Sequence, residues 1–146
     1  LIEYGRKIVK GFNVRERFFH IEFFKVRENE YKVIEINVRP PGGYGIDMQN
    51  YSCDIDLFKV FAELVVHNNN HLEYERKYNV ACALRRDRFH YVHSIDEVMR
   101  RLGPIAVDYK RLPDVFAAVM GNDTFILRHP EHKELFEAVA FALEKY

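Results

Sequence analysis

Apolar positions along this chain fall into two kinds of stretch, alternating and striped. Two alternating runs lie close together, Phe18 to Val26 and Tyr31 to Val38. Period-two patterning rich in Phe, Ile, Val and Tyr predicts β-strands, and the polar Glu28-Asn29-Glu30 between them predicts the hairpin connection. Ahead of them, LIEYGRKIVKGF puts Ile2, Gly5, Ile8 and Val9 on one stripe, which predicts a helix that exits at Gly11. After Gly43, the stretch from Tyr44 to Cys53 reads as a loop or short helix. Leu57, Val60, Phe61, Leu64 and Val65 then recur at helical spacing, with Asp54 or Asp56 as the cap and Asn68-Asn69-Asn70 as the end. His67 and His71 flank that asparagine run, which is too poor a helix to hold them as a metal pair.

A second phase begins near Tyr78. YNVACALRR alternates and predicts a strand, Asp87-Arg88 a turn, and FHYVH a returning strand with His90 and His93 on opposite faces. Ser94 and Glu97 form a capping box that opens a short helix, closed by Gly103-Pro104. Ile105 to Tyr109 predicts a strand. Val115 to Met120 and Thr124 to Leu127 flank Gly121-Asn122-Asp123, a hairpin signal. Pro130 suits the first position of a last helix whose apolar face carries Leu135, Phe136, Val139, Phe141 and Leu143. The expected class is therefore α+β, a mostly antiparallel sheet with packed helices. Residues 1–76 form a first part, and residues 77–146 an α+β subdomain packed on it.

Candidate chemistry concentrates on the first hairpin. Successive strand side chains point to opposite faces. Val33, Glu35, Asn37 and Arg39 thus share one face of the second strand, while Phe18, His20, Glu22 and Phe24 share one face of the first. A two-residue loop at Glu28-Asn29 sets Glu22 opposite Glu35, and a four-residue loop sets it opposite Asn37. A three-residue loop would turn the acids apart. Two opposed carboxylates repel and need a counter-charge. One reading is a surface salt-bridge face served by Lys25, Arg27 or Lys32. The other is a hard cation with oxygen ligands, Mg²⁺ in particular. Asn37 adds a neutral oxygen in strand phase and Arg39 a cation. The chain then breaks into Pro40-Pro41-Gly42-Gly43, where glycines let backbone N–H groups approach an anion.

E-I-N-V-R-P-P-G-G, preceded thirteen residues earlier by the acid of F-H-I-E-F-F, resembles the metal-binding hairpin of the ATP-grasp superfamily. It is most similar to the branch of the carbamoyl-phosphate synthase large subunit and biotin carboxylase. The resemblance is dense from Arg17 to about Leu57. It implies the C-terminal half of an ATP-grasp fold, with residues 1–76 carrying the metal-binding hairpin and the helix after it. Glu22 and Asn37 would each hold one Mg²⁺ (or Mn²⁺), and Glu35 would bridge two, on the phosphates of ATP. Gly42 and Gly43 would line the nucleotide phosphates. Arg39 would be the catalytic, anion-stabilising arginine. Asp47, Asn50 and Asp54 would help shape a substrate pocket, as acids after such a loop do in some relatives.

The implied activity is an ATP-dependent carboxylate–amine, or bicarbonate, ligase working through an acyl phosphate, with small carboxylate and amine substrates. The alternative is a non-catalytic module of the same descent used for binding or assembly. The opening helix without an initiator methionine reads as a fragment. The resemblance places a leading domain and the lysine-bearing ATP lid before it, so the chain alone is expected to be inactive.

Composition adds only exclusions. The 146 residues suit one domain with a sizeable core. Lys+Arg and Asp+Glu both number 22, so nothing in the charge favours nucleic acid or an anionic membrane. No apolar run approaches the length of a membrane span and no signal peptide is visible. Cys53 and Cys82 form no CxxC and suggest no disulfide framework, so a cytoplasmic location is expected. Oligomeric state is left open.

Overall fold

A computed structural model describes residues 1–68 and 71–146; Asn69 and Asn70 of the predicted helix end lie outside the described residues. The architecture is α+β, with six helices and two small antiparallel sheets among the described residues. The chain divides into two compact units, residues 1–42 with 56–72, and residues 43–55 with 73–146.

The first unit contains α1 (Ile2–Gly11), β1 (His20–Arg27), β2 (Glu30–Asn37) and, further along the chain, α3 (Leu57–His67). Glu28 and Asn29 form a two-residue turn, with Asn29 at φ +61°. Such a conformation suits asparagine better than most residues. Tyr4 of α1 meets Tyr31 edge-on at 6.3 Å, and Phe61 of α3 meets Phe18 at 5.4 Å. These aromatic contacts bind the helices to the hairpin. Asp56 caps α3 by accepting a hydrogen bond from the Lys59 N–H at 3.0 Å, and Asn68 closes it at φ +52°. Leu57 and Leu64 are buried on its apolar stripe.

The second unit contains α2 (Gly45–Cys53), β3 (Asn79–Arg85), α4 (Ile95–Leu102), β4 (Ala106–Arg111), α5 (Ala117–Met120), β5 (Asp123–His129) and α6 (His132–Leu143). Its sheet runs β3-β5-β4, so β5 is the central strand and pairs antiparallel with both neighbours. The core joins Ala83, Phe125 and Leu127 of the sheet to Val98 and Leu102 of α4 and Leu135, Ala138 and Ala142 of α6. Small residues on both sides let α6 approach the sheet closely. Ser94 caps α4 as expected, its Oγ accepting from Glu97 N–H at 3.1 Å. Both cysteines are free, and burial pushes the Cys82 thiol up to about 11.

Three expectations are corrected here. Phe89 to His93 is not a strand; Tyr91 makes a single bridge to Lys145. β5 pairs with β3 along its whole length, and Tyr91 is held instead through its hydroxyl, which accepts from Arg86 N–H at 3.0 Å. Val115 to Met120 is helical, a 3₁₀ turn at Asp114–Phe116 running into α5. Val115 and Val119 are each 80% exposed, so their spacing was not that of a core strand. Pro130 stands two residues before α6, whose N-cap is Glu131.

Arg85 ends β3 with its side chain turned inward. It is 3% exposed. Its Nε donates to Ala142 O at 2.6 Å and its Nη1 to His93 O at 2.7 Å. Its guanidinium also lies over the Tyr91 ring at 4.6 Å. His93 sits between Glu97 at 3.1 Å and Glu144 at 3.0 Å, stacked on Phe141.

Asp54 follows α2 at φ +52° and accepts from Arg128 Nη1 at 2.6 Å and Lys77 Nζ at 3.2 Å. The hydrogen bond from Arg128, then that from Lys77, holds its carboxyl below the usual value of 3.8. A depressed folded value gives stability that is present above the unfolded value and lost as pH falls through the folded one. In acid unfolding followed by circular dichroism, Asp54→Asn should therefore flatten the stability loss below about pH 4. An acid limb as steep as wild type would show that Arg128 and Lys77 do not stabilise the fold through Asp54.

Candidate metal centre

The hairpin strands are not in simple register. Arg27 pairs with Glu30, but Lys25 pairs with Tyr31, and Phe23 with Val33. Val26 on β1 and Ile34 on β2 are the unmatched residues. Each is a bulge, and a bulge bends its strand and increases local twist. The two lie on opposite strands, so their offsets cancel. Beyond them Glu22 faces Glu35, Ile21 faces Ile36, and His20 faces Asn37. This is the pairing a plain two-residue hairpin would give.

The side chains follow the register. One ligand atom each from His20, Glu22 and Glu35 lies within 4.8 Å of the other two. Asn37 Nδ2 donates to Glu35 Oε1 at 2.5 Å and lies 3.2 Å from His20 Nε2. His20 Nε2 is 3.8 Å from Glu22 Oε1. The structure thus brings Glu22, Glu35 and Asn37 together at one end of the hairpin. Glu22 and Glu35 are exposed, while His20 and Asn37 are half-buried.

Among the described residues no ion pair links Glu22 or Glu35 to Lys25, Arg27 or Lys32. Arg27 is engaged with Glu30 instead. The surface salt-bridge alternative therefore finds no support in the contacts. Two converging carboxylates without a lysine or arginine partner among the described residues, beside an amide, form a donor set that fits a hard divalent cation. In the arrangement seen, Asn37 turns its nitrogen to the acids. Rotating the amide by half a turn would present Oδ1 to an ion.

The other predicted residues have surroundings of their own. Arg39 lies beyond β2, and its Nη1 donates to Pro40 O at 3.0 Å. Gly42 has nothing within 4 Å of where a Cβ would stand, so packing does not demand a glycine there. Gly43 sits at φ +61°, which disfavours any residue with a Cβ. Asp47 is 3.7 Å from Lys110, and Asp54 is engaged as described above. Two of the three residues predicted to shape a substrate pocket thus have basic partners within the chain.

His20 is the residue that sequence reading placed on the right face but gave no role. The signal was present: it stands two residues before Glu22, in phase with it on the strand. No protein-family model, curated protein or solved structure matches the chain. Among the described residues no helix is long and apolar enough to cross a membrane.

Proposed function

We propose that the hairpin is the Mg²⁺–ATP phosphate site of an ATP-grasp-type ligase, joining a carboxylate (or bicarbonate) to an amine. One observation carries this reading: Glu22, Glu35 and Asn37 converge, and among the described residues no lysine or arginine neutralises the acids. The sequence motif that follows them supports it. Glu22, Glu35 and Asn37 would hold the ion, which when bound neutralises charge on the transferring phosphate. A substrate carboxylate oxygen attacks the γ-phosphorus, ADP departs, and an acyl phosphate results. The amine nitrogen then attacks the acyl carbon, inorganic phosphate leaves with its bridging oxygen, and the amine gives up a proton.

The chain's own contribution is positional. Strand pairing fixes the direction of Glu22, Glu35 and Asn37. Arg39 would release the Pro40 carbonyl to steady the acyl phosphate, since a planar guanidinium matches two anionic oxygens at once. The test is oxygen transfer in the full-length ligase. With isotopically labelled carboxylate substrate, one labelled oxygen should appear in inorganic phosphate, with ADP release requiring both carboxylate and amine. ADP release that neither substrate stimulates, or phosphate without label, would overturn the proposal.

A further inference from the structure

We infer that the ion at this hairpin is held partly through nitrogen, by His20, and that the site therefore takes a first-row transition ion more tightly than Mg²⁺. The inference rests on the reading of the hairpin as a cation site. It concerns a ligand that the carboxylate and amide set does not include.

The geometry selects one ring nitrogen. His20 Nδ1 is buried and has no hydrogen-bond partner, so it reaches neither solvent nor the acids. Nε2 faces the cluster, 3.8 Å from Glu22 Oε1 and 3.2 Å from Asn37 Nδ2. The amide nitrogen of Asn37 is a donor. With the ring proton on Nδ1, Nε2 carries the free lone pair at the mouth of the cluster, and a bound ion would take it in place of the Asn37 amide.

Spacing agrees with a shared ion. Ligand atoms about 2.1 Å from one centre stand roughly 3 to 4 Å apart. The 3.8 Å between His20 and Glu22 lies in that interval. A spread within 4.8 Å over His20, Glu22 and Glu35 needs only a small inward rotation of the exposed acids.

Chemistry then decides the ion. Mg²⁺ strongly prefers oxygen and keeps its waters. Imidazole nitrogen favours ions later in the first row, with affinity rising from Mn²⁺ through Co²⁺ and Ni²⁺. Two carboxylates with one imidazole on a strand pair form a mixed nitrogen and oxygen set. Register holds this set in place: His20 is opposite Asn37, two positions from the Glu22–Glu35 pair.

The test uses this chain with Co²⁺ and Mg²⁺ as probes. Calorimetry should give Co²⁺ binding at least about tenfold tighter than Mg²⁺. His20→Gln should weaken Co²⁺ by about tenfold or more and leave Mg²⁺ within about twofold. In the wild-type protein, Co²⁺ should broaden the His20 ring-proton resonances before those of the other histidines. That measurement keeps the test decisive if His20→Gln loosens the hairpin.

Equal affinity for the two ions would overturn the inference. So would unaltered His20 resonances, or a His20→Gln protein that binds Co²⁺ as tightly as wild type. If Glu35→Gln abolishes binding of both ions while His20→Gln changes nothing, the nitrogen ligand falls and the cation site stands. If neither ion binds, or Glu35→Gln has no effect on either, the cation site falls and this inference falls with it.

Discussion

Glu35→Gln should reduce turnover of the proposed ligase about a thousandfold, at 1.36 kcal/mol per tenfold for several kcal/mol of lost charge stabilisation. Glu35 lies within β2 opposite Glu22, so its direction is set by strand pairing. The substitution keeps size and shape and leaves a neutral amide where a charge met a divalent ion. Without metal, the change relieves repulsion between two carboxylates that no lysine or arginine among the described residues neutralises. The metal-free melting temperature should therefore stay the same or rise. Steady-state rates and thermal melts of the same preparations read both quantities. A variant that melts early but keeps wild-type turnover per folded molecule would make Glu35 a structural residue, and the ligase reading would fail.

The second large effect is on folding. Gly121→Ala should destabilise the second unit by roughly 3 kcal/mol or more, combining about 1–3 kcal/mol of backbone strain with a lost hydrogen bond. Gly121 adopts φ +73° and ψ 175°, a region essentially reserved for glycine. A Cβ there would stand 2.6 Å from the Arg85 carbonyl oxygen, which is backbone and has little freedom to move. That same oxygen accepts from Asn122 N–H at 2.7 Å. Relieving the clash would break the bond that leads the chain into β5. Asn122 Oδ1 also accepts from Asp87 N–H, so the turn after β3 would loosen as well. A melting temperature lowered by roughly 10 °C or more is expected at this cost. A melt within a degree or two of wild type would mean the turn can adopt another path.

What was legible in the sequence was the part written in local spacing. The striped helices α1, α3 and α6 showed themselves through period, and the capping box announced α4. The alternating runs marked the first hairpin. Its register was narrowed to two alternatives that keep the acids on one face, and the structure has the two-residue turn at Glu28-Asn29. The two bulges were not legible, because nothing in Val26 or Ile34 distinguishes an unmatched strand residue from a matched one. The acids still met because one bulge undid the other. Phe89 to His93 has strand-like composition, but composition does not say which ladder a segment joins. β3 is paired with β5 on one side, and Tyr91 is held by its hydroxyl rather than by a ladder. Val115 to Met120 is apolar yet mostly exposed, and composition alone cannot separate an exposed helical turn from a buried strand. The strand pattern of YNVACALRR did not show that Arg85 is buried. Only the pairing of β3 with β5 puts it inside, where backbone carbonyls from α6 and from His93 receive it. In the candidate site, side-chain phase revealed the acids and Asn37. His20 needed the cross-strand partner that only the fold supplies.

The central place of β5 has a consequence for the order in which this protein can take shape. β3 and β4 share no edge; each completes its pairing only on Asp123–His129. During synthesis both strands emerge from the ribosome before the partner they require. α6, which supplies Leu135, Ala138 and Ala142 to the core, emerges later still. Through that interval the nascent second unit has α2, α4, α5 and two strands without a ladder. Its sheet then forms in a single late step, as β5 inserts between strands that have been waiting for it. The strands waiting in the meantime present open edges, and open edges recruit other chains. A pause in translation that keeps β5 inside the ribosome would therefore lengthen exposure to aggregation.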